Sequence, residues 1–426
     1  MDRLIDAALR DMLTSEGAAQ LEALERIADL HDTAAVAPLI HMLFWLGEEI
    51  HDPIVATIRS LAGEPADAPD SEAFFDWMVW LQAHTEYAPH ALYDALAGDL
   101  YAALDPQFSR FLRVGITRSI RLEEIVWGGV NVDAIPALDN PATTGPEGAG
   151  WLNPDDPVLG VLIGGQARAY PLRIMYWHEL VNDVVGGVPV ALPFCSLCGA
   201  GILYDARVAG QSSPLKFGTS GLLYRSNKLM FDRATDSLWS QFTGEAVVGA
   251  LAGNAPALTR LPLVQTDGAA WLARHPDTSV LSEQTGHLRD YAPDAAYRTY
   301  RASPDLAFPA RITDTRMPAK TLVFGLHLPG GAKAWPLDSF DETAPLHATV
   351  GLHDVVIFGN ARTGIRAYQA GGHRFTVNGP NLTSSDGPWR ATESALIGPD
   401  GRTFARLPGH VAYWFAWAGA WGAGGE

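Results

Sequence analysis

The sequence predicts an α+β protein. An α-helical, HEAT-like domain over residues 1–112 precedes two duplicated β-rich modules, at 113–305 and 306–426. Three observations predict this. Apolar residues recur at helical spacing as far as about residue 112. Beyond Val114 the texture changes to short apolar runs broken by Gly, Pro, Asn and Asp. Motifs from the middle of the chain then return, in the same order, near its end.

The helical reading rests on Leu4, Ala7, Ala8 and Met12, and again on Leu21, Leu24, Ile27 and Leu30. His31-Asp32 and His51-Asp52 each precede an apolar run, Ala35 to Leu46 and Ile54 to Leu61. Acidic caps before paired helices at short period suggest a small α-solenoid. Phe74 to Leu81 and Ala91 to Leu104 continue the layer. Its histidines read as cap or surface residues, and its role as docking or self-association.

In the β-rich part, Val158 to Ile163 is a strand, Gly164-Gly165 a hairpin turn, and Ala167 to Leu172 the partner strand. Ile135 to Gly150 reads as a long loop, and Ile174 to Val185 as a short helix. The repetition is ordered. GGQARAYPL at Gly164 returns as GGAKAWPL at Gly330, and Leu203-Tyr204-Asp205-Ala206 as Ala367-Tyr368-Gln369-Ala370. Phe217 and Gly221 match Phe375 and Gly379; Asp236 and Trp239 match Asp386 and Trp389. Arg260-Leu261-Pro262 before Trp271 matches Arg406-Leu407-Pro408 before Trp417.

Composition bounds the function. The 426 residues, 47% hydrophobic, suffice for two or three packed domains. A formal net charge of −18 argues against a nucleic-acid surface or an anionic membrane as partner. No apolar run reaches membrane-spanning length, and MDRLIDAALRDMLTSEG lacks the basic and apolar regions of a signal peptide. Two cysteines make no disulfide framework. The expectation is a soluble, cytoplasmic protein.

Those cysteines, Cys195 and Cys198, lie in VPVALPFCSLCGAGILYDARVAG, Val188 to Gly210. Strand, Cys-x-x-Cys-Gly, strand is the layout of a metal-binding knuckle, in which a tight turn aims two thiolates at one point. A thioredoxin-like Cys-x-x-Cys would open a helix, whereas Gly199 and Gly201 follow here. Two buried small hydrophobes in a hairpin are the plain alternative.

What one module keeps and the other lacks is a candidate for function. The second module has no cysteine in VIFGNARTGIRAYQA, no clear histidine equivalent to YWHELVND, and little of LYRSNKLMFDR. The first module's segments supply His178, Cys195, Cys198 and Met230 as candidate ligands of copper or zinc. His178 and Met230 also fit as core residues. Glu179 and Asp183, a helical turn apart, are candidate general bases or outer-shell partners. Asp232 and Arg233 are candidate substrate contacts, the Arg as an anion fork; an internal ion pair is the alternative. Ser226 and Asn227 are polar members of the same loop.

These segments resemble the bacterial family known as domain of unknown function 3179. IPALDNP at 135–141, ARAYPL at 167–172, WHELVND at 177–183, FCSLCG at 194–199, FGTSGLLYRSN at 217–227 and LMFDRATDSLWSQFTGEAVVG at 229–249 carry the likeness. LTRLP at 258–262 and ARHPDTSVLS at 273–282 complete it. The resemblance covers residues 125–300 firmly and the second module weakly. It implies a domain boundary and site residues, not a reaction. Three readings stand: a metal-dependent enzyme acting on an unknown small molecule, possessing an open coordination position; a thiol–disulfide redox protein using Cys195 and Cys198; and a non-catalytic binding protein with a structural metal.

Overall fold

The computed structural model of the protein describes residues 1–255, 257–379 and 381–421. Six helices come first: α1 (Asp2–Thr14), α2 (Ala18–Asp29), α3 (Val36–Trp45), α4 (His51–Leu61), α5 (Phe74–Ala83) and α6 (Tyr93–Leu104). Each buries the apolar stripe its spacing announces; Ile5, Leu9 and Met12 of α1 are wholly inside. Asp32 caps the short turn before α3 by accepting from the Ala34 amide at 3.0 Å. Among the described residues no helix is long and apolar enough to cross a membrane.

Strands follow, and the first half of the β region forms three sheets. One is β15 (Val264–Asp267), β4 (Pro157–Ile163), β5 (Gln166–Pro171), β16 (Ser279–Leu281) and β3 (Thr143–Thr144), in that order. The second runs β14 (Arg260–Leu261), β9 (Leu203–Asp205), β7 (Val188–Cys195), β6 (Leu180–Val185), β2 (Leu138–Asp139), with β8 (Ala200–Gly201) beside β7. The third runs β1 (Ile125–Trp127), β10 (Phe217–Tyr224), β11 (Asn227–Asp232), β12 (Leu238–Ser240), β13 (Ala246–Val248). Helices α7 (Leu172–His178), α8 (Gly268–Arg274) and α9 (Arg298–Ala302) lie between strands.

The second half has two sheets. The smaller is β18 (Gly331–Pro336), β17 (Leu322–Leu328) and β27 (His410–Tyr413). The larger runs β19 (Leu346–Val350), β20 (His353–Phe358), β21 (Arg366–Gln369), β26 (Thr403–Leu407), β25 (Ala395–Ile397), β24 (Gly387–Ala391), β23 (Asn381–Ser384), β22 (Thr376–Asn378). Helix α10 (Trp414–Trp421) follows β27.

The pairing in the two halves runs in parallel. Gly160 on β4 faces Ala169 on one side and Val264 on the other. Gly325 on β17 faces Ala334 and His410. A Cβ at Gly160 would strike the Trp271 ring, and one at Gly325 the Trp417 ring. Both glycines are therefore needed for close approach of a helix rather than for backbone freedom. The order β14-β9-β7-β6 corresponds to β26-β21-β20-β19, and β10-β11-β12-β13 to β22-β23-β24-β25.

Two expectations meet the structure differently. The helix foreseen over Ile174–Val185 ends at His178, and residues from Leu180 form β6. Val181, Val184 and Val185 are β-branched, and β6 pairs with β7 through the Gly186-Gly187 turn, whose positive φ angles of 55° and 78° suit a two-residue hairpin. Glu179 and Asp183 therefore do not share a helix face. The boundary foreseen at 112/113 lies between the short helical turn Pro106–Arg110 and the first strand, β1, and one continuous apolar cluster spans it. The cluster runs from Ile5 through Leu112 and Ile125 to Leu229, Phe231 and Val248, so the helical layer packs on the outer face of the β10–β13 sheet.

The second half also completes the first. Ala412, Tyr413, Phe415 and Ala416 share an apolar cluster with Cys195, Cys198, Met230 and Trp239. A chain ending at residue 305 leaves that cluster open, and exposed apolar surface of this kind drives aggregation. Such a truncation is expected to be insoluble; a soluble, monodisperse fragment in gel filtration contradicts the packing.

Candidate functional site

The site is built where β7 ends. The chain turns at Cys195 and the Cys198 amide comes back to the Cys195 carbonyl at 3.2 Å and to its Sγ at 3.3 Å. Gly199 continues at φ +61°, and a Cβ there would lie 3.2 Å from the Tyr413 ring, so only glycine suits the position. Cys198 Sγ lies 3.2 Å from Asn227 Oδ1 and 3.5 Å from the Ser226 carbonyl. Both cysteines are free thiols and buried. Burial, and then the neighbouring Cys195, push the Cys198 thiol well above its ordinary value.

The hairpin β10–β11 brings Ser226 and Asn227 to the sulfur. Its two turn residues, Arg225 and Ser226, have φ of +52° and +60°. A two-residue turn with both φ positive normally carries Asn-Gly, so this turn needs outside support. Glu124 supplies it. Its fully buried carboxylate meets Arg225 Nε at 2.5 Å and Nη2 at 3.2 Å, and Arg121 Nη1 at 3.0 Å. Ser226 Oγ itself is buried without a hydrogen-bond partner among the described residues.

Along β11 the side chains alternate. Leu229 and Phe231 join the helical core, while Met230 packs in the cluster that holds the two cysteines. Lys228 extends into the protein and pairs with Glu179, Nζ to Oε2 at 2.9 Å and to the Glu179 carbonyl at 3.2 Å. Both side chains are nearly buried, at 6% and 10% exposure. Glu179 caps α7 in the left-handed region at φ +55° and receives the Tyr297 hydroxyl at 3.2 Å. Burial and the Glu179 charge raise the Tyr297 phenol. Tyr300 donates to the Leu197 carbonyl at 2.7 Å, inside the Cys-x-x-Cys turn. Its phenol is raised by burial and by its position beside Cys198 and Cys195.

The remaining expected residues stand elsewhere. His178 is buried, with Nδ1 2.8 Å from the Pro136 carbonyl and Nε2 2.5 Å from the Tyr291 hydroxyl. A carbonyl only accepts, so Nδ1 carries the proton and Nε2 accepts from Tyr291. Both ring nitrogens are engaged in these bonds. Among the described residues no three His, Cys, Asp or Glu side chains stand together as a metal site, so the expected Cys195/Cys198/His178 set is not assembled. Asp183 Oδ2 takes Arg168 at 2.5 Å and Tyr170 at 2.8 Å, a buried pair on the far strands. Asp232 ties the β11–β12 turn through the Thr235 amide at 2.6 Å, the Ala234 amide at 3.1 Å and Trp239 Nε1 at 2.9 Å. Arg233 forms a two-pronged pair with Asp133, 2.8 Å on each prong. Asp232 is thus held by turn and indole hydrogen bonds, and Arg233 by an ion pair at the surface, with Asp133 rather than Asp236.

Lys228, Tyr297, Tyr300 and Tyr413 complete the surroundings of the thiols and were not foreseen. Lys228 was within reach, since it lies in LYRSNKLMFDR. The tyrosines come from segments with no motif of their own.

Two expectations follow from the geometry. Replacing Lys228 with Met leaves Glu179 buried and unpaired, which costs about 3–5 kcal/mol. Chemical denaturation of the variant is the measurement, and an unchanged midpoint contradicts the pairing. Burial, partly offset by the Pro136 carbonyl, depresses the His178 imidazole to about 4. An unfolded histidine titrates near 6.5, so below that pH the unfolded chain binds a proton that the folded chain refuses. Its contribution to stability is present above about pH 6.5 and falls by roughly 3 kcal/mol as pH drops to about 4. Denaturation of wild type and His178→Gln across that window is expected to differ in slope; parallel curves contradict the assignment.

No curated protein and no solved structure matches the chain. A family does, over residues 132–423. That span reaches through both β-rich halves, further than the motifs at 125–300 alone indicated, and leaves the helical layer outside it. The Cys-x-x-Cys loop, the β10–β11 hairpin and the capping strand β27 all lie within the match, and the chain belongs to the family described as protein of unknown function (DUF3179).

Proposed function

We propose that Cys195 and Cys198 are the reacting pair of a thiol–disulfide oxidoreductase. The observation that carries this reading is that both cysteines are free and lie in one buried apolar cluster, the Cys198 amide 3.3 Å from Cys195 Sγ. Cys195 is the attacking sulfur, because the Cys198 amide donates to it while Cys198 is held as a thiol by burial and by Asn227 Oδ1. Its thiolate attacks one sulfur of a substrate disulfide, and that S–S bond breaks to release the first thiolate. Cys198 then gives its proton to a leaving thiolate and attacks the Cys195 sulfur. The Cys195–Cys198 bond forms and the second thiolate leaves. The pair loses two electrons, the substrate disulfide gains them, and the two thiol protons end on the two released thiols. The segment carrying Tyr297 and Tyr300 covers the pair and must move for substrate to enter.

A soft metal ion, copper or zinc, is the second reading. Met230 in the same apolar cluster as both sulfurs favours it, and with His178 engaged elsewhere the available donors suit monovalent copper better than four-coordinate zinc. The corresponding strand orders of the two β-rich halves support reading them as copies of one module, of which only the first keeps thiols. The successive α1/α2 and α3/α4 packing supports a HEAT-like reading of the helical layer, with docking or self-association as its role.

Incubating the reduced full-length protein with oxidised glutathione tests the redox reading. Wild type is expected to lose two hydrogens by mass, Cys198→Ser to hold a stable glutathione adduct, and Cys195→Ser to do neither. Unreactive wild-type thiols that copurify with stoichiometric copper or zinc overturn the redox reading in favour of the second.

A further inference from the structure

The second β-rich half has a recess of its own at the place that corresponds to the thiol loop. In the first half the Tyr413 amide of β27 donates to the Cys198 carbonyl at 2.7 Å. In the second, the Asp267 amide of β15 donates to the Arg362 carbonyl at 2.8 Å. Asp267 and Tyr413 lie at matching register positions, three residues beyond Val264 and His410. Arg362 therefore stands where Cys198 stands in the first half, and the loop around it opens on a cleft of about 570 Å³.

The walls define a ligand. Ala270 and Ala273 of α8 line the cleft together with Phe358 and Val377, which makes that part of its wall apolar. At one end lies a buried charge cluster. Glu393 takes Arg274 Nε at 2.8 Å, Arg366 Nε and Nη2 at 2.8 and 2.7 Å, and Arg406 Nη1, with His275 Nε2 at 3.6 Å. Three guanidinium groups on one carboxylate leave positive charge in excess where water is scarce, which favours an added anion. Arg366 spends Nη1 on the Thr363 and Gly364 carbonyls, and Arg406 spends Nη2 on the Leu263 carbonyl. Arg406 Nε is without a partner among the described residues, but it is buried, whereas Arg274 reaches the cleft. Arg274 Nε and Nη2 are engaged, Nη2 to the Ala391 carbonyl at 2.9 Å, but Nη1 has no partner among the described residues. Its side chain is 31% exposed and lines the cleft. Glu342, an exposed carboxylate, lines it as well, so a second negative charge on the ligand meets repulsion.

We propose that this cleft binds a small monocarboxylate with an apolar body, its carboxylate on Arg274 and its chain against Ala270, Ala273, Phe358 and Val377. The site is separate from the thiol pair and stands whether or not the pair is redox-active.

Calorimetric titration of the full-length protein tests this with three probes of similar length: hexanoate, the uncharged hexanamide and the dianion adipate. Hexanoate is expected to bind saturably, with the other two at least about tenfold weaker. Arg274→Gln is expected to lose the preference for hexanoate over hexanamide. Because Arg274 also bonds Glu393, Ala273→Trp supplies a variant that fills the cleft from an exposed helix position and leaves the buried carboxylate alone; it is expected to abolish binding. No saturable heat with hexanoate, equal affinity for hexanoate and hexanamide, or hexanoate binding unchanged in Ala273→Trp each overturns the proposal.

Discussion

Two backbone hydrogen bonds, one in each direction, cross between the two β-rich halves and brace both of their loops. Tyr413 N–H to the Cys198 carbonyl, at 2.7 Å, and Asp267 N–H to the Arg362 carbonyl, at 2.8 Å, run in opposite directions between the halves. Each half thus lends the last residue of one strand to cap the other half's loop. Each such bond is worth only about 1 kcal/mol net. Its consequence is larger, because the strand that donates is followed by a helix whose tryptophan fills the space above a glycine. Trp271 sits over Gly160 and Trp417 over Gly325, both rings wholly buried. Neither loop keeps its shape if the opposite half moves away.

The thiol loop depends on buried charge as well. Glu124 is fully buried and holds Arg225 and Arg121; Lys228 and Glu179 form a second pair a few residues along the same strand. Buried pairs contribute little net stability, but losing one partner is expensive. What they fix is position. The Arg225-Ser226 turn has two non-glycine residues at positive φ, and without Glu124 nothing in the sequence favours that turn over a relaxed one. The carbonyl and amide groups that reach Cys198 are carried by this turn, so Glu124, just beyond the helical layer, is a positioning residue for the loop.

Much of this was legible, and the rest was not for identifiable reasons. The Cys-x-x-Cys-Gly turn between strands was legible because Gly199, Gly201 and the flanking apolar runs, Val190 to Leu192 and Ile202 to Tyr204, favour strand–turn–strand. The β4–β5 hairpin was legible from Gly164-Gly165 and alternating apolar residues. Helix α7 was misjudged in length, because Leu180 and Val181 continue the apolar spacing of Ile174 and only pairing with β7 decides for strand. The partners of His178 were out of reach: Tyr291 lies in a segment without periodicity, and Pro136 contributes only its carbonyl. A carbonyl leaves no mark in a sequence. The same holds for the Tyr413 cap, which acts through its amide and its ring.

The corresponding loops differ in one physical respect that separates their chemistry. From Ala191 to Tyr204 the first half has one residue more than the second has from Val356 to Tyr368, although each end pair is in register across its own strand pair, β7/β9 and β20/β21. In the second half the turn is closed by a side-chain amide: Asn360 Oδ1 accepts from the Arg362 and Thr363 amides, both at 2.8 Å. In the first half that acceptor is Cys195 Sγ, with a single amide at 3.3 Å. Sulfur accepts weakly, so the thiol turn is the less stable of the two by its own bonds. The first half adds contacts from outside the turn. Its hairpin strands β10 and β11 run eight and six residues, against three and four for β22 and β23, long enough to bring Ser226 and Asn227 onto Cys198. A turn that replaces its own good acceptor with sulfur, and is then braced from outside, has its geometry set by neighbours rather than by the thiols. Both cysteines stand in that turn as free thiols, their positions fixed by Asn227, Ser226 and the Tyr413 cap.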